Sequence, residues 1–248
     1  MKGRSRFFKL MVFVAVLGAA MLGISGVAGA WSEGNPPTGI GTHDWIIGAA
    51  KTVANQNVAT SADWLNVSVA QSFSHYPDEV YNDLNNHAYD LWGLLRLGNA
   101  PNTVKSHWTL AVNALKVKDL YTASKEVGLM AHYFDDICNP WHTTYEFSNV
   151  TVQTKYHSVY ENDVLGHEPA TVTKDGYQTV SDAATATKNA ATFSRNYYTV
   201  LANAYIAYGT AGYNAPNVDS TTKMLLAKAA NGLADLITSI QIAAGYKG

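Results

Sequence analysis

Apolar positions along this chain recur mostly at the three-and-four spacing of a helix face, and seldom at the strict alternation of a half-buried strand. His43 to Val53 is apolar and rich in small residues. Asn102 is placed to cap a helix through about Val117 in NTVKSHWTLAVNALKV, because its side chain can accept a free N–H of the first turn. Tyr121, Val127, Met130, Ala131 and Phe134 outline another helix. Ser181 to Tyr208 and Asp219 to Ala244 read as two long alanine-rich helices, with stripes through Leu201, Ile206, Leu225, Leu226, Leu233 and Ile237. Extended character is confined to NVTVQTKY and PATVT, which read as loop or short strand. Gly and Pro clusters near 34–41, 98–101 and 166–176 mark connections. The expectation is an all-α fold, a single compact multi-helix domain.

The first thirty residues stand apart from this pattern. A basic stretch, MKGRSRFFKL, precedes the apolar MVFVAVLGAAMLGISG and a small-residue ending before Trp31. This is the layout of a secretory signal peptide over residues 1–30, with the domain at 31–248, although Leu10 to Ala30 is nearly long enough to be a membrane anchor. Cleavage removes Lys2, Arg4, Arg6 and Lys9, leaving 13 basic and 19 acidic residues and a net charge of −6. That balance disfavours a broad basic surface for nucleic acid or anionic lipid. With one cysteine, Cys138, an exported chain has no internal disulfide, so bound metal becomes a candidate source of stability.

Polar residues interrupt the apolar segments in a repeated way. In HYFDDICNPWH, His132 and Asp136 are four apart and share one helix face. Pro140 ends regular helix and frees His142 to point elsewhere. KYHSVYENDV repeats the spacing with His157 and Glu161. Upstream, YPDEVYNDLNNHAYD offers Asp78, Asp83, His87 and Asp90, and THDWI offers His43. Imidazole and carboxylate are the ligands zinc accepts when thiolates are lacking. A processed N-terminus at Trp31 would add its amine and carbonyl oxygen as a chelate.

Together, Trp31 at the cleavage point, HYFDDICNPWH and HSVYE resemble the bacterial zinc-dependent phospholipases C, which share a fold with the S1/P1-type nucleases. The resemblance spans Trp31 to about Asp163. It implies three zinc ions: one held by Asp78, His87, His132 and Asp136; one by Trp31, His43 and the bridging Asp136; one by His142, His157 and Glu161. Asp83 is the alternative to Asp78. In this reading Asp78 also orients or deprotonates the attacking water, and the three ions clamp a phosphodiester.

The implied activity is phospholipase C, cleaving a glycerophospholipid at a membrane surface to diacylglycerol and phosphorylated headgroup, in a secreted monomer. Nucleic acid is the substrate under the nuclease alternative. Trp31 and His43 lie twelve residues apart and the last ligand is Glu161 rather than Asp, both of which favour the lipase. A third reading is a zinc-stabilised binding protein without turnover. Glu33 and Tyr81 are headgroup-pocket candidates. Asp135 reads as a capping or solvent-facing bystander, Cys138 as a small buried thiol, and His75, His107 and His167 as surface or packing residues. Trp45, Trp64, Trp92 and Trp108 read as core, and Asn66 and Asn149 begin glycosylation sequons.

Overall fold

A computed structural model of the chain describes residues 40–57, 62–81, 83–92, 95–144 and 150–247, with no account of the side chains at 90–97 and 150. The proposed signal segment, Trp31, Glu33 and Asn149 lie outside these residues, as do the side chains of Asp90 and Trp92. Eight α-helices run through the described residues: α1 (Thr42–Ala54), α2 (Val67–Ser74), α3 (Ala100–Lys116), α4 (Leu120–Cys138), α5 (Val150–Val164), α6 (Ala183–Arg195), α7 (Tyr198–Tyr208) and α8 (Val218–Ala244). The expected all-α class holds. A hairpin of β1 (Asp90–Trp92) and β2 (Leu95–Leu97) is the sole ladder among the described residues, antiparallel with Leu91 opposite Arg96.

Helix α4 forms the centre, packed against α1, α2, α3, α6 and α8. Its start is fixed by Asp119, whose side chain accepts the Thr122 N–H at 3.0 Å. Every residue from Glu126 to Cys138 is buried, so the second half of this helix has no solvent face. It crosses α2 at Gly128, where a Cβ would stand 2.1 Å from the Ala70 carbonyl oxygen. Only hydrogen allows that approach. Trp141, Tyr133, Tyr160, Tyr205, Phe134 and Ile46 are among the largest fully buried side chains.

Three local readings need correction. Helix α3 begins before Asn102, at Ala100, with Pro101 in its first turn, where a missing N–H costs nothing. The long helix expected over 181–208 is two helices, broken at Asn196 and Tyr197. The break redirects the chain so that Tyr198, Leu201 and Tyr205 bury themselves, Tyr198 packing edge-on against Trp141 with ring centres 5.2 Å apart. The β-branched stretch read as extended in NVTVQTKY lies within α5 from Val150 onward. There Tyr156 and Tyr160 enter the core, and tertiary packing overrides strand propensity.

Of the tryptophans, Trp64 is buried and Trp45 and Trp108 pack partly buried against the core, as expected. Asn66 caps α2 by accepting the Val69 N–H at 3.2 Å. No helix of the described residues is long and apolar enough to cross a membrane.

Candidate metal centre

Four pieces of chain converge on the polar face of α4. Helix α1 brings His43. The 77–87 segment, a short π-turn (Pro77–Tyr81) and a 3₁₀ turn (Leu84–Asn86), brings Asp78 and His87. The backbone of Tyr89 ties this segment down by donating to the His142 carbonyl at 3.1 Å. Helix α4 itself brings His132 and Asp136.

Helix α4 stops at Cys138 because Pro140 disfavours helical geometry in the residue before it. Asn139 turns extended, its side chain accepting the Trp141 N–H at 3.2 Å. The 3₁₀ turn Pro140–His142 then aims His142 at α5, which brings His157 and Glu161.

Three groups of donor atoms result: His43, His132 and Asp136; Asp78, His87 and His132; and His142, His157 and Glu161, each with its atoms within 4.8 Å of one another. Asp136 joins them. Its Oδ2 lies 2.9 Å from His87 Nδ1 and 3.5 Å from His132 Nε2, while Oδ1 lies 3.7 Å from His43 Nε2 and 4.0 Å from His142 Nε2. One carboxylate therefore turns an oxygen to each side.

Asp78 Oδ1 lies 3.5 Å from His87 Nδ1 and 3.6 Å from His132 Nε2. Asp83 instead meets the other nitrogen of His87, with Oδ1 at 3.0 Å from Nε2. The two aspartates thus address opposite sides of one ring, with Asp78 on the cluster side.

Burial makes the electrostatics severe. Burial lowers His43 to a pKa of about 3, with His132 adding to the fall. Burial also lowers His157 to about 4. His87 goes the other way: burial opposes its charge, yet hydrogen bonds to Asp136 and Asp83 raise it to about 10. Asp136 is held below the usual carboxylate range despite its burial, chiefly by His132 and His142. For Glu161 burial dominates and raises the carboxyl to about 7.

Does a metal suit this donor set? Three observations say that it does. Zinc–nitrogen bonds of about 2.0–2.1 Å separate neighbouring donors of a tetrahedral site by roughly 3.3 Å. His87 Nδ1 and His132 Nε2 are 3.0 Å apart, and His142 Nε2 and His157 Nε2 are 3.1 Å apart. Second, His43 Nε2, Asp136 Oδ1 and Glu161 Oε2 are buried with no hydrogen-bond partner among the described residues, a costly state unless a further group completes them. Third, the ion-pair partners described for the buried Asp136 and Glu161 are histidines, without a Lys or Arg among them. Buried carboxylates in such surroundings suit a cation.

Every predicted ligand within the described residues is therefore at the cluster: His43, Asp78, His87, His132, Asp136, His142, His157 and Glu161. Asp135 was misread. It is wholly buried, and its Oδ2 lies 3.3 Å from His43 Nδ1. Tyr81 is exposed, stacking on Tyr76 with ring centres 6.5 Å apart. His107 pairs with Glu126 at 2.7 Å and His167 with Asp219 at 3.3 Å, both outside the centre. Cys138 is the expected buried thiol.

No known family matches the chain by sequence, and no curated protein does. Among solved structures, it is similar to Clostridium perfringens alpha-toxin isolated from avian strain SWCP, at 16% identity and a TM-score of 0.58. The match covers 83% of this chain and 64% of that one. The chain thus has the all-helical fold found in alpha-toxin and spans less than two thirds of that protein's length.

Proposed function

We propose that the protein is a secreted zinc-dependent phosphodiesterase, and specifically a phospholipase C that releases diacylglycerol and a phosphorylated headgroup. The observation that carries this reading is the set of three adjoining donor groups linked through the two oxygens of Asp136. Asp78, His87, His132 and Asp136 would hold one ion, and His142, His157 and Glu161 another. Trp31, His43 and Asp136 would hold the third. The likeness to alpha-toxin in fold agrees with the sequence resemblance.

Zinc would supply neutralisation of phosphate charge and acidification of water. The chain's own residues set the geometry. Asp78 is pulled below the usual carboxylate range, with burial opposing and its contact with the His132 imidazole leading the effects that lower it. It stays ionised at neutral pH and is suited to orient a water molecule and take its proton at the carboxylate. Trp141 stacks on the His157 ring, centres 5.9 Å apart, and closes one wall against solvent.

The test is hydrolysis of a phospholipid panel and of single-stranded DNA by zinc-loaded protein beginning at Trp31, with a chelator control. Chelator-sensitive lipid cleavage without DNA cleavage is expected. DNA cleavage alone would replace this reading with the nuclease. Stoichiometric zinc without turnover on any diester would leave a zinc-stabilised binding protein. A form keeping one extra residue before Trp31 should hold less zinc and lose activity, and equal behaviour of the two forms would remove Trp31 from the ligand set.

A further inference from the structure

We propose that Asp135 and Asp83 are positioning residues that hold His43 and His87 in the tautomer and orientation needed to bind metal. The inference rests on the metal reading above and extends it to two carboxylates outside the ligand set.

The geometry is the same at both. Each ring turns one nitrogen to the cluster and the other to a carboxylate behind it. For His87, Nδ1 faces Asp136 Oδ2 at 2.9 Å and Nε2 meets Asp83 Oδ1 at 3.0 Å. For His43, Nε2 faces Asp136 Oδ1 at 3.7 Å and Nδ1 meets Asp135 Oδ2 at 3.3 Å. A carboxylate only accepts, so the outer contact is a hydrogen bond only when the ring carries a proton on its outer nitrogen. With a cation between the inner nitrogen and Asp136, the neutral ring keeps that outer proton and turns its lone pair to the cation. The same contact fixes the ring plane and makes the imidazole a stronger donor.

Neither carboxylate is left loose. Asp83 Oδ2 accepts the Tyr133 hydroxyl at 2.9 Å and the Asn86 amide at 2.6 Å. Asp135 is fixed by its place in α4, where adjacent positions point about 100° apart and cannot share Asp136's direction. Without such a task, a fully buried carboxylate beside Asp136 would be a pure cost. The contrast lies in His132, whose Nδ1 has no hydrogen-bond partner among the described residues.

The variants are Asp135→Leu, Asp135→Asn, Asp83→Leu and Asp83→Asn, each with the native ligand set. Zinc content would be measured by mass spectrometry and zinc affinity by competition with a chromophoric chelator, alongside thermal unfolding of the metal-free proteins. The leucine variants should lose about 10–100-fold in affinity at one zinc, the usual effect of removing such a partner. The asparagine variants, whose amide oxygen still accepts the ring N–H, should recover most of it. Metal-free Asp135→Leu should unfold no earlier than wild type. Wild-type zinc affinity in both leucine variants would overturn the proposal, as would losses that asparagine fails to rescue and that track a lower metal-free unfolding temperature. Zinc-replete wild type without diester hydrolysis would overturn the proposed activity and leave this inference standing. Wild type that binds no zinc would overturn both.

Discussion

Asp136 and Asp235 are carboxylates on opposite sides of α4. Asp136 belongs to the helix and faces His43, His87 and His132. Asp235, on α8, borders a cavity of ≈ 390 Å³ behind the helix, lined also by Phe134, Cys138, Phe193 and Leu225. The first is pulled below its ordinary range although burial opposes ionisation, because imidazoles surround it. The second is raised to about 7 by burial, with the Gln178 backbone N–H, at 3.1 Å, only partly offsetting the effect. Burial alone therefore does not mark a site. What distinguishes the face of the candidate metal centre is the density of complementary donors gathered around the charge.

The largest break in this comparison is Asp136→Asn. With the shared carboxylate gone, zinc should leave at least one position, and activity should fall further than the 10–100-fold typical of residues behind the ligands. Zinc counting together with kinetics checks this, and a full zinc complement in the variant would contradict it.

Next is metal removal from the wild type. A site at a thousandfold excess of zinc over Kd contributes about 4 kcal/mol. With about 2–4 °C per kcal/mol for chains of this size, stripping one site should lower Tm by roughly 8–16 °C. Calorimetry before and after chelation measures the shift.

The opposite face is probed by Gly232→Ala. A Cβ there would come 2.7 Å from the Phe134 ring, and such overpacking costs about 1–3 kcal/mol. Denaturant unfolding should register the loss while zinc content stays unchanged.

The smallest effect belongs to Asp235→Asn. Between about pH 4 and 7 the native Asp235 retains a proton that the unfolded chain has lost, so stability falls as pH rises through this window. Asparagine keeps the acceptor for Gln178 and removes the titration. Partial solvent access reduces the gain to about 1 kcal/mol, or about 2–4 °C in Tm, at pH 8 and to none at pH 4. Parallel melts at the two pH values decide it.

Much of the centre was legible before the fold. His132 with Asp136 and His157 with Glu161 follow from helical spacing, and the turn that aims His142 follows from Pro140. Asp135 was not legible, for a physical reason. Position next to a candidate ligand implies an outward direction only on a helix that has an outside, and α4 is enclosed from Glu126 to Cys138. The choice between Asp78 and Asp83 likewise needed the two faces of the His87 ring, which no spacing reveals. The break between α6 and α7 arose from the demand of Trp141 for the Tyr198 ring, a contact between residues far apart in sequence.

Asn139 has a further consequence. Its backbone ends α4, its side-chain oxygen receives the Trp141 N–H, and its amide nitrogen donates to Glu161 at 3.0 Å. One residue thus works as a spacer of fixed length between the two helices that carry the candidate ligands. Adding or deleting a residue between Asp136 and His142 would leave both helices intact and still pull His142 out of register with Glu161. The irregular 168–180 stretch carries none of the candidate ligands, and the same change there would disturb its ties to α8, such as Asp175 N–H to Asn231 at 3.0 Å, without touching that register. The chain therefore has no slack in length between Asp136 and His142.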